Sequence, residues 1–317
     1  MKFIEKISVK SSRPDEVYSF WEKSNQRTIF TNPKFIETLN YKFSWWTAYY
    51  GDEKICIWPV CTSKDKITIP DFFYYFGPLW TTRIIQAHRW LYLSTNIYYK
   101  IFEKLIKEFG YIENQLHYSL ADVRAFDWWN YNSGKKFQIL PKYSAILENL
   151  NNSPIEKIIE EFRFVRRSEI KKFQKKFKII IENDLDFKTI VLFYTKIIED
   201  QKEEILRHSI DSLYNIYKSL KNFGSIIVIK NLENNEIVSF SLLLNDFRTS
   251  NLVLNANNRS YFKYGSGSML ITETIKYLKK KKFDILDFNG ANSPNRGDDK
   301  HSYGSNYKLY FHIKYES

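Results

Sequence analysis

The sequence is poor in the residues that form disulfides and metal sites. It contains two cysteines and five histidines among 317 residues. Cys56 and Cys61 lie five positions apart on a predicted strand, so their side chains would point to opposite faces and a disulfide is not expected. Because the histidines are scattered singly, we also expect no zinc-type cluster and no metal site.

Long hydrophobic runs are also missing. No stretch of about 18 uncharged apolar residues occurs, so no transmembrane segment is expected. The opening run Met1–Lys6 lacks the apolar core of a signal peptide, which makes the cytoplasm the expected location. The sequence likewise shows no Walker-type phosphate loop and no pattern typical of a catalytic triad.

Aromatic residues and positive charge, in contrast, are plentiful. With 25 Phe, 23 Tyr, 8 Trp and 44% hydrophobic residues, the chain predicts a globular protein with a large core. Its length favours two domains or one duplicated fold. The net charge of +12 fits a nucleic-acid, membrane-surface or phosphate-bearing partner, and it fits equally well a Lys- and Asn-rich composition set by AT-rich coding.

The two halves of the chain show the same order of elements: a hairpin, a strand, a helix and a strand. In the first half these are 46–60, 72–76, a helix ending at Gly110, and 111–118. In the second half they are 225–230 with 237–244, 251–255, 269–282 and 285–288. We therefore expect an α+β fold of two similar domains, residues 1–150 and 151–317, that share a ligand cleft. The second domain would include a helical segment over residues 154–222.

The last fifty residues contain the strongest functional pattern. Gly265 and Gly267 precede a predicted helix whose unpaired N–H groups and positive dipole end attract phosphate or another anion. A buried strand follows over residues 285–288. A polar loop then brings Lys300 back to the end of that strand, an order that suggests an acyl-transfer site.

Several segments, in the order in which they occur, together resemble the Fem-type (FemABX-like) acyltransferases of the GNAT superfamily. They are Asn32–Ile36, Tyr75–Pro78, Asp122–Trp128, Leu140–Leu147, Arg163–Lys172, Leu286–Asn292 and Lys300–Gly304. The resemblance covers nearly the whole chain. It implies two tandem GNAT-like domains, each a mixed central sheet flanked by helices.

The resemblance also implies a function, the transfer of an aminoacyl or acyl group to an amine of a cell-surface glycan or peptidoglycan-type precursor. The donor would be an aminoacyl-tRNA or an acyl-CoA, with no tightly bound cofactor, and the acceptor a nucleotide-sugar or lipid-linked precursor, with peripheral membrane contact possible. Lys300 matches the functional lysine of the family. Phe262 stands where classical acetyltransferases have Gln or Arg, and Asp299 replaces an aromatic residue beside the lysine.

Specific roles follow from this chemistry. Lys300 would stabilise an oxyanion or a phosphate, and Asp287 would act as a base or orient the incoming amine. The residues expected to bind donor or substrate are Arg163, Arg166, Arg167, Lys263, Tyr264, Gly265, Gly267, Asn289 and Tyr303. Two other interpretations remain open: a basic RNA-binding protein that kept the fold without catalysis, and a purely structural partner protein.

Overall fold

A computed structural model describes residues 6–82, 91–200 and 208–317 of the chain. It contains interspersed helices and strands, so the predicted α+β class is confirmed. The chain divides into two compact units, the first formed by Met1–Lys142 with Leu309–Ser317 and the second by Tyr143–Lys308.

The first unit contains a mixed sheet. Its strands are β1 (Ile7–Ser12), β2 (Lys42–Tyr50), β3 (Glu53–Ser63), β4 (Lys66–Thr68), β5 (Leu79–Trp80), β6 (Tyr111–Gln115) and the later part of β13 (Asn306–Glu316). They are ordered β1-β2-β3-β4-β6-β13, with β5 paired to β3. Pairing is antiparallel except between β4 and β6. The helices are α1 (Pro14–Lys23), α2 (Pro33–Ile36), α3 (Leu91–Phe109) and α4 (Arg124–Asp127).

Helix α3 shows why the sequence predicts this unit well. Ile97, Ile101 and Leu105 recur every four residues, and all three side chains are fully buried in the core of the first unit. Gly110 ends the helix with a left-handed φ of +64°, and its N–H bonds to the carbonyl of Ile106. Trp90, which the sequence also assigns to this helix, lies outside the described residues.

The strand predicted over residues 72–76 was wrong, because the structure has a loop there. Phe72 and Tyr75 take positive φ values of 65° and 51°, which a strand does not allow. Both side chains are nevertheless buried. The run of aromatic residues is therefore explained by burial in a tightly turned loop. β propensity alone does not distinguish such a loop from a strand.

The second unit also has a mixed sheet. Its strands, in spatial order, are the end of β7 (Gln138–Leu147), β12 (Ile285–Gly290), β11 (Thr249–Asn257), β10 (Ile237–Asp246), β9 (Gly224–Asn231) and β8 (Ile179–Glu182). The pair β11 and β12 is parallel and the others are antiparallel. The sequence located the four central strands closely.

The helices of the second unit are α5 (Ile155–Glu160), α6 (Phe164–Lys176), α7 (Phe187–Asp200), α8 (Ile210–Phe223), α9 (Arg259–Phe262), α10 (Ser266–Lys280) and α11 (Pro294–His301). Helix α10 contributes Leu270, Ile275 and Leu278 to the core, where Phe173 of α6 joins them. Residues 294–301 were expected as a loop and are helical instead, with Pro294 at the first helical position. No described helix is both long and apolar enough to cross a membrane.

Candidate functional site

The side chain of Lys300 lies at the end of strand β12. Helix α11 carries the lysine, and its Nζ donates hydrogen bonds to the backbone carbonyls of Asn289 at 2.6 Å and Gly290 at 2.7 Å. Burial lowers the pKa of Lys300 to about 8, although the nearby Asp287 carboxylate acts in the opposite direction. Since an ammonium group has three donors, one N–H remains beyond these two bonds.

Strand β12 bends where Lys300 contacts it. Its register against β7 shifts between Asp287 and Gly290, and Asn289 has a φ of +54°. Asp287 is buried, and its Oδ1 accepts hydrogen bonds from the Ser144 hydroxyl and from the backbone N–H of Asn289, both at 2.7 Å. The Asp287 carboxylate and the Lys300 ammonium group therefore both bond to backbone groups at this bend.

The side chain of Asn289 bridges the two parallel strands. Strands β11 and β12 pair over three residues each, Thr249–Asn251 with Ile285–Asp287. Beyond that point the Asn289 Nδ2 donates to the carbonyl of Leu252 at 2.9 Å. The Oδ1 of Asn289 is buried and has no hydrogen-bond partner among the described residues. An unpaired buried acceptor is energetically unfavourable, so this oxygen is suited to accept a hydrogen bond from a bound molecule.

The predicted glycine turn forms the N-terminus of α10. Gly265 has a φ of +92°, and a Cβ added there would lie 2.5 Å from the Cβ of Glu169 on α6. Position 265 therefore requires glycine for both its backbone conformation and its packing. Gly267 is different, since an added Cβ would meet nothing closer than the Asn257 amide at 3.8 Å.

A protein carboxylate lies against the first turn of this helix. Glu169 Oε2 accepts a hydrogen bond from Ser268 Oγ at 2.5 Å and pairs with Arg166 Nη1 at 3.0 Å. Tyr303 adds its hydroxyl 3.3 Å from the same serine oxygen. Burial raises the pKa of Tyr303, so its phenol stays protonated and neutral. The helix end predicted to bind an external anion thus has an internal one beside it.

The three arginines expected to hold phosphates all contact the protein itself. Arg166 pairs with Glu169 and Asp299 and donates from Nε to the Ser302 hydroxyl at 2.7 Å. Arg163 pairs with Asp298 at 2.6 Å. The Nη1 of Arg167 bonds to the carbonyl of Glu160 at 3.3 Å, while its buried Nε has no partner in the described part of the chain.

Lys263 and Tyr264 lie in a separate group, in which three lysines surround the Tyr264 ring. The ammonium group of Lys176 lies 3.9 Å from the centre of the Tyr264 ring, and those of Lys263 and Lys172 lie 5.1 Å and 5.6 Å away. Hydrogen bonding to Lys176 is the main reason why the pKa of the Tyr264 phenol is lowered. Lys172 also donates to the backbone carbonyl of Lys263 at 2.9 Å.

The structure thus brings the predicted residues into two connected groups and one separate group. Lys300, Asp287 and Asn289 meet at the bend of β12. Arg166 and Tyr303 form the second group, at the start of α10. Asp299 and Ser302 lie close to Lys300 along the chain and contact Arg166, so they link the second group to the first.

Sequence reasoning missed two residues that complete these groups. Glu169 lies three positions after Arg166, a spacing at which helical side chains pair, so local pattern could have found it. Ser144 lies 143 positions from Asp287, and no local signal connects the two.

A surface cavity of about 540 Å³ lies elsewhere in the second unit. Its lining includes Asp184, Lys218, Lys221, Ser225 and Tyr277. None of the site residues predicted from the sequence lines this cavity, so it gives no support to the transfer chemistry.

No protein-family model matches the sequence, and no curated protein matches it either. Solved structures do resemble the fold. FemX superposes with a TM-score of 0.60 over 96% of each chain at 11% identity. L-PGS from Bacillus licheniformis gives 0.56 over 97% of this chain and 93% of its own at 12% identity. A tandem GNAT protein from the clavulanic acid biosynthesis pathway gives 0.56 over 97% of each chain at 6% identity.

At such low identities these matches establish the fold rather than the chemistry. The chain has the Fem-like tandem GNAT fold, as the motif order in the sequence predicted. Because one fold hosts many unrelated functions, the reaction depends on the residues of the site rather than on the fold.

Proposed function

We propose that this protein is an N-acyltransferase that moves an aminoacyl or acyl group from an activated ester or thioester to an amine. The observation that carries the proposal is Lys300, an ammonium group fixed by two backbone carbonyls at the end of β12. Partial burial there strengthens its interaction with a developing negative charge, because less water screens it. The position also matches the functional lysine that the family resemblance implies.

The reaction forms one bond and breaks another. The neutral amine of the acceptor attacks the donor carbonyl, a C–N bond forms, and negative charge develops on the carbonyl oxygen. We propose that the third N–H of Lys300 stabilises that oxygen. As the intermediate collapses, the C–O or C–S bond of the donor breaks, and the proton lost by the amine ends on the leaving oxygen or sulfur.

Asp287 and Asn289 would act beside the lysine. The negative charge of Asp287 acts to raise the pKa of Lys300, and its Oδ1 accepts a hydrogen bond from the Asn289 N–H at the bend of β12. We propose that Asp287 orients the incoming amine by fixing this segment of backbone. The unpartnered Oδ1 of Asn289 would accept an N–H of the donor. Tyr303, Arg166 and the turn at Gly265 would border the donor, with the carboxylate of Glu169 disfavouring a second anion directly at the helix end.

The substrates proposed are those of the family resemblance. The donor is an aminoacyl-tRNA or an acyl-CoA, and the acceptor is an amine of a glycan or peptidoglycan-type precursor, nucleotide-linked or lipid-linked. FemX and L-PGS share the fold, which supports an acceptor of this class without fixing its identity.

The test is a donor and acceptor panel read by mass spectrometry for an amide product. Replacing Lys300 by Met keeps the length of the side chain and removes its charge. We expect kcat to fall by about 100-fold to 1,000-fold, as for loss of one oxyanion donor. The matched control is Lys308→Met, since Lys308 is a lysine of similar exposure that pairs with Glu148 at 3.0 Å.

Control activity should stay within a factor of about three of the wild type, since a surface ion pair contributes little. Absence of product from every charged-tRNA and acyl-CoA donor would refute the proposal. A Lys300→Met variant as active as the control would refute the role of Lys300.

A further inference from the structure

The surface cavity of the second unit is lined by side chains of both charges. Its volume of about 540 Å³ is within the range of roughly 300–1,000 Å³ that is usual for ligand pockets. Lys218 and Lys221 line it from the second half of α8, and Ser225 lines it from the start of β9. Tyr277 of α10 and Asp184, in the segment after β8, line it as well. The cavity therefore has the size and the polar groups of a small-molecule site.

The direct connection between α8 and β9 sets the position of two of these residues. Helix α8 ends at Phe223, and the N–H of Gly224 bonds to the carbonyl of Leu220. A Cβ added at Gly224 would lie 2.5 Å from the carbonyl oxygen of Leu243 on β10, so a side chain at this position would not fit. Glycine thus allows the end of the helix to pack closely on the sheet, with Lys221 and Ser225 at one cavity.

The charged side chains of the lining do not neutralise one another. In the part of the chain that the structure describes, Lys218, Lys221 and Asp184 form no ion pair, either with each other or with another residue. The Nζ of Lys218 lies 5.5 Å from the centre of the Tyr214 ring, a contact that leaves its charge without a counter-ion. Opposite charges that border one cavity without pairing favour a ligand that carries both signs.

Ser225 adds a hydrogen-bond donor to this lining. Its Oγ accepts hydrogen bonds from the Asn245 Nδ2 at 2.9 Å and from the Tyr277 hydroxyl at 3.1 Å. Since a hydroxyl has two acceptor sites and one donor, these bonds use its acceptor sites and leave its O–H. No described residue accepts that proton, which is therefore available to an oxygen of a ligand.

Apolar side chains line the same cavity. Leu220 and Ile226 are only 5% and 7% exposed, so the cavity reaches side chains at the edge of the core. Tyr217 and Tyr277 add their rings. An apolar group of a ligand would lose its contact with water there, which favours binding.

We infer that this cavity binds a small zwitterion with an apolar side chain, the chemistry of a free α-amino acid. The carboxylate of the ligand meets Lys218 and Lys221 and accepts the proton of Ser225, while its ammonium group meets Asp184. A nucleotide carries only negative charge at its phosphates and would leave Asp184 without a counter-charge. The lining therefore fits an amino acid better than a nucleotide.

The inference goes beyond the transfer reaction and does not depend on it. Lys300, Asp287 and Asn289 do not line this cavity. Binding here needs neither an acyl donor nor an acceptor, so it holds or fails whatever the chain catalyses.

The experiment is isothermal titration calorimetry of the full chain with L-leucine and L-phenylalanine, without donor or acceptor. Three further probes each remove one feature: N-acetyl-L-leucine lacks the ammonium charge, L-leucinamide lacks the carboxylate and glycine lacks the apolar side chain. We expect each of them to bind at least about tenfold more weakly than leucine, because each loses one charged or apolar contact.

Two substitutions assign these contacts to residues. Lys221→Gln should weaken leucine binding about tenfold and leave leucinamide binding unchanged, because the amide has no carboxylate to lose a partner. Asp184→Asn should weaken leucine binding by a similar factor and leave N-acetyl-leucine binding unchanged. The matched controls are Lys157→Gln and Asp52→Asn, which change exposed residues outside the cavity and should bind leucine like the wild type.

Several outcomes would overturn the inference. Absence of binding of either amino acid at about 10 mM would do so. Equal binding of leucine and N-acetyl-leucine would show a simple anion site instead. Leucine binding that Lys300→Met abolishes and Lys221→Gln leaves unchanged would locate the ligand at the bend of β12. Binding of adenosine monophosphate that needs Lys221, with no binding of amino acids, would replace the zwitterion with a nucleotide.

Discussion

The lowered pKa of Lys300 makes a prediction about stability that needs no substrate. The reference value for a lysine is 10.5, and burial lowers it to about 8 in the folded protein. Between these two values the folded state holds a neutral amine while the unfolded state remains protonated. Because the unfolded state then binds more protons, the free energy of unfolding rises with pH across this window.

The size of the effect follows from the shift. Each pH unit inside the window adds about 1.4 kcal/mol for one proton, which would give at most about 3.5 kcal/mol from about pH 8 to about pH 10.5. Since the lysine is only partly buried, water reduces this figure, and we expect about 2 kcal/mol. Below about pH 8 both states are protonated and Lys300 adds no slope.

The assay is urea unfolding, followed by tryptophan fluorescence at several pH values, for the wild type and Lys300→Met. Other lysines and tyrosines titrate in both proteins, so their effects cancel in the difference. The difference should be flat below about pH 8 and should then rise in favour of the wild type. Parallel curves throughout would show that the ammonium group is not desolvated, and the proposed oxyanion role would lose its basis.

Two further predictions test packing and burial. Gly265→Ala should destabilise the protein by about 2 kcal/mol or more, because an added Cβ would lie 2.5 Å from Glu169. Gly267→Ala, the control, should be neutral or stabilising, because an added Cβ there has room. Thermal unfolding compares the two variants, and equal melting temperatures would refute the close approach at Gly265. Cys56 and Cys61 should not react with a thiol reagent near neutral pH until the chain unfolds, because burial raises the pKa of Cys61 to about 12 and that of Cys56 well above its usual value; fast reaction of the native protein would contradict this burial.

Local pattern was enough to place the elements around the candidate site. The turn at Gly265, the helix after it and the strand over residues 285–288 were all visible in the sequence, because glycine conformation and apolar periodicity act over a few residues. The return of Lys300 to the end of that strand was visible as well, and the structure shows the contact as two hydrogen bonds. What that contact does in the reaction stays a proposal.

Only the tertiary structure decided which polar and charged side chains meet. The contact between Ser144 and Asp287 and the pairing of Arg166 with Asp299 join positions more than a hundred residues apart, so no local pattern encodes them. The same holds for the last strand, whose residues from Leu309 onward belong to the first unit and whose residues 312–316 pair with β6. Side-chain burial and long-range pairing depend on where the whole chain packs, whereas turns, helix ends and strands depend chiefly on neighbouring residues.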